Sequence, residues 1–492
     1  MAERLGLSAE CGVGAAAGSG RRDASGTEWV PGVLRGSCRS GRLCTSDRGL
    51  AVCQLFGIDS SPAVPAAAPG WVLPNEVLRV GRGRILAVVG PSGSGKTTLL
   101  GRLAAEHAAA VDVQRIEFPE GKAVVDGVAP RAPLASALEL LSQCALGEAS
   151  LWLRAYETLS AGEQFRARLA RGLGAERDGG AGGLLLIDEF GSGLHRRAAR
   201  ALAFNLRKVV TRRGLAVAVA TPHEDVLADL QPDVLVRLAD YGLANVQSRV
   251  PRAPRFSLLR RARVGAGSRR DWADFARMHY RGTDELGFVD KVFVMRAGVG
   301  GPCLAIVVYS YPPAELALRN EVTGGAYKGD LRKLNRDVRI LRRLVVHPDL
   351  RGCGLGHRLV RRTLPLVGTR YVECLAAMGA VNPVFERAGM TRVGVCAQPR
   401  ARQRTLARLA ELGADPHAGD FEVQVCRRPA VRALVAAQVQ QWYQATTGQG
   451  EGRVARQTPQ MLARIFRGLA GLSPVYYLWE SGVRSPESGG QA

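Results

Sequence analysis

The sequence predicts an α/β protein of two successive domains, and three observations carry that prediction. Short apolar strands alternate with amphipathic helical patterns from about Val72 to Ser248, and again over residues 271–428. Each stretch holds one glycine-rich loop between an apolar strand and a helix, Gly90–Thr98 in the first and Arg351–Gly356 in the second. A basic stretch containing prolines, residues 249–270, separates them and reads as a linker. The length agrees, since 492 residues with 46% hydrophobic and 23% charged content suit two or three packed domains.

Residues 1–70 are rich in Gly, Ser, Ala and Pro, without sustained periodicity, and read as a flexible tail or as residues upstream of the true start. Glu3 and Glu10 argue against a transit peptide, and no apolar run approaches the roughly 18–20 residues of a membrane span. The ten cysteines include no CxxC pair, although Cys11, Cys38, Cys44 and Cys53 gather in the tail. They suggest neither a disulfide framework nor a zinc site, and a reducing cytoplasmic location is expected.

The run Arg84–Val89 is a buried-strand pattern, and Gly90, Pro91, Ser92, Gly93, Ser94, Gly95, Lys96, Thr97 and Thr98 follow it directly. This is the pattern GxxxxGK[ST] between a strand and a helix. Glycines let backbone N–H groups converge on phosphate, and the helix N-terminus adds a favourable dipole. Lys96 is placed to reach the β- and γ-phosphates of a nucleotide, and the Thr97 hydroxyl to bind Mg²⁺. A second apolar strand, Gly183–Phe190, ends in Asp188, a further Mg²⁺ ligand, and Glu189, which would polarise the attacking water. His223 follows a third strand and is placed to sense the γ-phosphate.

Leu159–Leu173 reads LSAGEQFRARLARGL, a Ser160/Glu163 helix start followed by a basic amphipathic helix. Together, Gly90–Thr98, Leu159–Gln164, Asp188–Glu189 and His223 resemble the ATP-binding cassette (ABC) ATPases over residues 71–248. The resemblance implies that two cassettes sandwich two ATP molecules, with Ser160 and Gly162 acting across the dimer. It also makes Gln143 a switch glutamine and Trp71 an adenine-stacking aromatic. One cassette per chain implies a homodimer. Two departures stand out: His195 occupies the place of the usual Asp after Glu189, and only 64 positions separate Lys96 from Ser160. The helical region that docks on membrane domains is therefore expected to be trimmed, with no membrane partner.

In the second domain the strand Arg339–Val346 runs through His347-Pro348 into Arg351-Gly352-Cys353-Gly354-Leu355-Gly356. The spacing GxGxG is not the dinucleotide fingerprint, and no acidic residue follows a second strand at the required distance. The pattern [RQ]xxGx[GA], followed by the strand Tyr371–Ala376 and by NPVFERAGM at Asn382–Met390, resembles the GNAT acetyltransferases over residues 271–428. The resemblance implies acetyl-CoA as donor. Its pantetheine arm would lie on Leu344, Val345 and Val346, its pyrophosphate on Arg351–Gly356, and its thioester near Asn382. Phe385 occupies the position where many members carry an acid-supplying Tyr. Either Tyr309 or Tyr311 is then the candidate acid or the thiolate leaves unassisted, and Glu373 is the candidate base. His279 and Tyr280 are candidates for the acceptor site.

Lys+Arg 67 against Asp+Glu 44 gives a net charge of +23, of which +16 falls on residues 251–430. All but six of the basic residues are arginine. Charge gathered on one domain favours an acidic partner there, nucleic acid first. The leading expectation is an ATP-hydrolysing dimer with an acetyl-CoA-dependent N-acyltransferase domain acting on a nucleic-acid amine. The rival is a regulatory nucleic-acid-binding ABC ATPase whose GNAT module binds CoA without turning it over. A third reading takes protein or a small amine as acceptor. Residues 429–492 read as a helical C-terminal extension.

Overall fold

The computed structural model describes residues 21–22, 28–31, 46–57, 73–74, 77, 79–175, 183–239, 243–251, 255–279, 286–447, 450–471 and 473–482. The chain divides into two compact units. The first comprises Met1–Ala262 with His347–Gly354, and the second Arg263–Val346 with Leu355–Ala492.

The first unit is built on a sheet of eight strands: β1 (Arg21–Arg22), β2 (Glu28–Pro31), β3 (Ile85–Val89), β4 (Val111–Asp112), β5 (Leu184–Ile187), β6 (Ala216–Thr221), β7 (Val234–Leu238) and β8 (Leu243–Ser248). Their spatial order is β1-β2-β8-β7-β3-β6-β5-β4. The run from β7 to β4 is parallel, whereas β8 and the two N-terminal strands add antiparallel. Strands β3, β5 and β6 are buried throughout, which is why they read as continuous apolar runs. Arg207, 3% exposed, bridges the Gly83 carbonyl and the Asp233 carboxylate, tying the helix Arg196–Arg213 to the start of β3. The segment read as a flexible tail thus contributes two strands to the sheet. It also contributes the helix Asp47–Phe56, capped by the Ser46 hydroxyl.

The second unit holds β9 (Arg263–Ala266), β10 (Val289–Arg296), β11 (Cys303–Ser310), β12 (Val338–Val346), β13 (Tyr371–Ala376), β14 (Thr391–Val395) and β15 (Val475–Glu480), in the order β14-β15-β13-β12-β11-β10-β9. Only β12 and β13 run parallel, and they pair from Val338/Tyr371 to Leu341/Cys374. Beyond that point the ladder stops, while β12 stays paired to β11 as far as Val346.

Two expected boundaries move. Residues 249–270 are not all linker: Phe256, 1% exposed, packs on Phe204, and β9 opens the second sheet. The described part of residues 429–492 is not an extension, because β15 lies between β13 and β14 and completes the sheet. Between β14 and β15 the chain makes a helical insertion with its own apolar core, including Leu409, Phe421, Val435, Val439 and Phe466.

Candidate nucleotide site and acyl-donor strands

The chain ends β3, β5 and β6 at one edge of the first sheet, the position where open α/β sheets collect ligand-binding loops. After β3, Gly93 and Gly95 take left-handed backbone conformations, φ 82° and 91°, open to glycine at little cost. A Cβ on Gly90 would stand 2.4 Å from the Leu238 carbonyl oxygen, so glycine is also required for close approach to β7. The Lys96 ammonium donates to the Gly90 and Pro91 carbonyls at 2.9 and 2.6 Å, folded over the loop. Ser94 is buried, while Pro91, Ser92, Thr97 and Thr98 are exposed.

Asp188, at the tip of β5, accepts a hydrogen bond from the Thr97 hydroxyl at 2.7 Å. One carboxylate and one hydroxyl this close are oxygen donors suited to a hard divalent cation, so the residues fit Mg²⁺. Glu189 is exposed, with a left-handed φ of 49°, and its N–H donates to Asp188 Oδ1 at 2.8 Å. The Thr221 hydroxyl donates to the Phe190 carbonyl and accepts from the His223 N–H, which fixes the β5 and β6 ends together.

The structure separates Gln143 from this edge. It is buried at the end of the helix Leu134–Gln143 and donates to Glu139. The glutamine that does reach the site is Gln114, just after β4, whose Nε2 lies 3.5 Å from the Asp188 carbonyl oxygen. Its position two residues past a short strand is the signal that the sequence reading missed. Trp71 and Tyr280 lie outside the described residues.

Ser160 is exposed, and both its N–H and its hydroxyl bond Glu163 Oε2, at 2.8 and 2.7 Å. Partial burial works to raise the Glu163 pKa, but these bonds, with Arg166 and Arg154 nearby, hold it below the usual carboxylate range. Gly162 packs tightly on the turn after β5, where an added Cβ would lie 3.3 Å from the Gly193 carbonyl oxygen. His195 caps the helix Arg196–Arg213, its Nδ1 accepting from the Arg197 N–H.

Within the same unit, His347–Gly354 is engaged with that helix. Arg197 donates to Asp349 at 3.0 Å, Asn205 to the Arg351 carbonyl at 3.1 Å, and Lys208 to the Gly352 carbonyl at 2.8 Å. The Arg351 guanidinium donates to the Gly147 carbonyl, and Cys353 is buried. Arg351, Gly352 and Cys353 are therefore not the open anion cradle expected. Gly352 and Gly354, both at φ 81°, keep the left-handed backbone that the glycine pattern implied.

In the second unit, Leu344, Val345 and Val346 pair with Val307, Ile306 and Ala305 of β11 and leave their β13-facing edge without a ladder. Leu355 and Gly356 open the helix Leu355–Thr363. A Cβ on Gly356 would meet Val384, Val346 and Leu344 at 3.2–3.6 Å, so this glycine lets the helix lie close on β12. Asn382 is exposed.

Glu373 is not an accessible base. It is wholly buried, ion-paired to Arg319 at 3.3 Å, and accepts from the Tyr476 hydroxyl at 3.0 Å. Burial pushes its pKa up to about 7, against the opposing pull of Arg319 and Tyr476. Tyr309 is also buried, paired with Thr363. Tyr311 is 37% exposed beneath the Arg339 guanidinium, beside the stretch of β12 that remains paired to β13. The hydroxyl that packs by Phe385 belongs to Tyr477, whose ring centroid is 5.4 Å away. It bonds Glu386 at 2.7 Å and the Gly379 carbonyl at 3.2 Å. The His279 ring lies tilted against that of Trp272, with centroids 6.1 Å apart, in accord with a packing role.

No helix among the described residues is long and apolar enough to cross a membrane. No protein-family model matches the chain. Solved structures similar to part of it include the ATP-binding cassette MJ0796 in a dimeric post-hydrolysis state bound to ADP and Pi. That likeness is 19% identical with TM-score 0.28, over 35% of this chain and 87% of that one. A second dimeric structure of MJ0796, described as a bacterial ABC transporter cassette, is 20% identical with TM-score 0.27, over 33% and 84%. Among curated proteins, the aliphatic sulfonates import ATP-binding protein SsuB 2 of Mesorhizobium japonicum is 33% identical over 203 residues, 37% of this chain and 80% of that protein. With the phosphate-loop geometry and that extent of shared sequence, the chain belongs to the ATP-binding cassette family of P-loop ATPases.

Proposed function

We propose that the chain is an ATP-driven homodimeric ABC machine carrying an acetyl-CoA-dependent N-acyltransferase domain, with a nucleic-acid amine as acceptor. The observation that carries the first half is the Thr97–Asp188 contact beside the Gly90–Thr98 loop. Thr97 and Asp188 would hold Mg²⁺, which on binding neutralises phosphate charge. Backbone N–H groups of Gly90–Thr98 and the Lys96 ammonium bind the β- and γ-phosphates. Glu189 orients the attacking water and draws off its proton, and His223 contacts the γ-phosphate, giving ADP and phosphate. Ser160 and Gly162 of each chain cap the loop of the other.

The second half is supported by the strand order β14-β15-β13-β12, with one parallel pair that parts after Leu341/Cys374. The free edge of Leu344–Val346 offers backbone groups to the amide-bearing arm of acetyl-CoA. The acceptor amine attacks the acetyl carbonyl, the C–S bond breaks, and the proton lost by the amine is matched by one gained by the CoA thiolate. Phe385 cannot supply that proton, and Glu373 has no accessible surface from which to take one. Sulfonate import is named for the curated relative and is not carried over to this chain.

The test combines radiolabelled acetyl-CoA and ATP with the full chain and, in separate reactions, tRNA, duplex DNA, single-stranded DNA and bulk protein. Label should enter one nucleic-acid fraction and vanish with Gly354→Glu, a position whose φ of 81° disfavours any side chain. ATP hydrolysis by that variant shows that it is folded. Acetyl-CoA binding without transfer to any acceptor would replace this reading with a regulatory ABC ATPase whose CoA pocket is non-catalytic. Phe385, which cannot donate a proton to the leaving thiolate, favours that alternative.

A further inference from the structure

The helical insertion between β14 and β15 carries a surface that neither the phosphate loop nor the acyl-donor strands use. Residues 400–470 contain eleven arginines against five acidic residues. Its first helix, Arg400–Glu411, turns Thr405 and Leu409 inward and sets Arg400, Arg404 and Arg408 on the outside. Arginines at i, i+4 and i+8 form a ridge whose successive bases rise by about 6 Å. Among the described residues none of the three side chains has a hydrogen-bond or ion-pair partner, in contrast to Arg464, which pairs with Glu422, and Arg402, which is bonded to the Leu469 carbonyl. Glu411 is the acidic residue on the same helix and sits at its C-terminal end.

Placement gives the ridge a direction. The insertion leaves the sheet at Cys396 and returns at Pro474, two residues joined by a backbone hydrogen bond of 2.9 Å. Val475, the first residue of β15, pairs with Ala376, the last of β13. The neck thus rises from the sheet end towards which β12 and β13 part.

We infer that the ridge Arg400/Arg404/Arg408 is a docking surface for a nucleic-acid backbone, presenting the acceptor strand to the open end of β12 and β13. Three unpaired guanidinium groups in line match a row of phosphates, and each can bind phosphate bidentately without reading sequence. The inference rests on the nucleic-acid acceptor proposed above and deepens it by naming the surface.

The experiment measures binding of the full chain to fluorescent duplex DNA, single-stranded DNA and tRNA across a salt series. Wild type is compared with the triple variant Arg400→Gln/Arg404→Gln/Arg408→Gln and with the triple Lys replacement. On the preferred polymer the Gln variant should bind more weakly, with a log–log salt slope shallower by about 2 to 3 for a duplex or about 2 for a single strand. The Lys variant should restore most of the slope, while ATP hydrolysis and acetyl-CoA binding stay at wild-type levels. Wild-type binding with an unchanged slope in the Gln variant would overturn the ridge and leave the acceptor class standing. Absence of binding by wild type to all three polymers would overturn both. Loss of slope accompanied by loss of ATP hydrolysis would mark a folding defect, and single Gln replacements then decide, each expected to lower the slope by about 1.

Discussion

Single side chains in this protein show how a motif position and its chemistry come apart. Glu373 sits on a strand where a base is expected, yet it is sealed between Arg319, Tyr476 and the sheet, with Cys374 and Cys396 nearby. Its raised pKa has a stability consequence with a definite sign. The folded state holds the proton more tightly than the unfolded chain, so between the ordinary value of 4.5 and about 7 the folded state binds more protons. Stability from this group therefore falls as pH rises through that window. Glu373→Gln, neutral at every pH, should remove the component. In urea unfolding at pH 5 and pH 7.5, wild type should lose stability relative to the variant as pH rises. Parallel behaviour of the two proteins would show that the Arg319 pairing holds Glu373 ionised throughout.

At the scale of elements, legibility followed burial. Strands β3, β5 and β6 were readable because each is an unbroken apolar run buried on both faces, and the phosphate loop follows the first of them. Strand β15 was not, because its partners β13 and β14 lie far back in sequence and some eighty residues of helical insertion intervene between β14 and β15. Tyr476 and Tyr477 were missed with it, and so were the partners of Glu373 and Glu386. Gln143 drew attention over Gln114 because β4 is only two residues long and leaves almost no strand pattern. The Arg351–Gly356 pattern was visible, but its engagement by Asn205 and Lys208 depends on contacts that no local spacing encodes.

The junction of β3 and β7 gives a prediction of the same scale. In Gly90→Ala the new methyl meets the Leu238 backbone, which cannot rotate away. The variant should lose about 1–3 kcal/mol of stability, and ATP affinity should drop about tenfold or more. Gly101→Ala is the matched control. It lies within the helix Lys96–Glu106, and an added Cβ meets nothing within 4 Å. That change should leave ATP binding intact and raise stability by about 0.5–1 kcal/mol. Equal behaviour of the two variants in urea unfolding and nucleotide titration would remove the close-approach argument.

For the whole molecule the decisive question is whether one chain can complete its own nucleotide site. Ser160 faces solvent and spends its hydrogen bonds on Glu163, and Gly162 packs on the turn after β5. Among the described residues neither is bonded to the Gly90–Thr98 loop of the same chain, and the proposed sandwich would supply them from a second copy. Replacing Glu189 by Gln keeps the side-chain shape and its hydrogen-bonding reach but removes the carboxylate that accepts the water proton. ATP should then bind without turnover, and the 52.5 kDa chain should run in light scattering as a species of twice that mass with ATP, and as a monomer with ADP. Adding Ser160→Arg to Glu189→Gln should abolish the dimer while a monomer still binds ATP, because the intruding side chain blocks only the facing site. A Glu189→Gln protein that stays monomeric with ATP, under conditions where wild type hydrolyses it, would mean that each chain works alone. The Ser160–Gly162 segment would then be a helix start and nothing more.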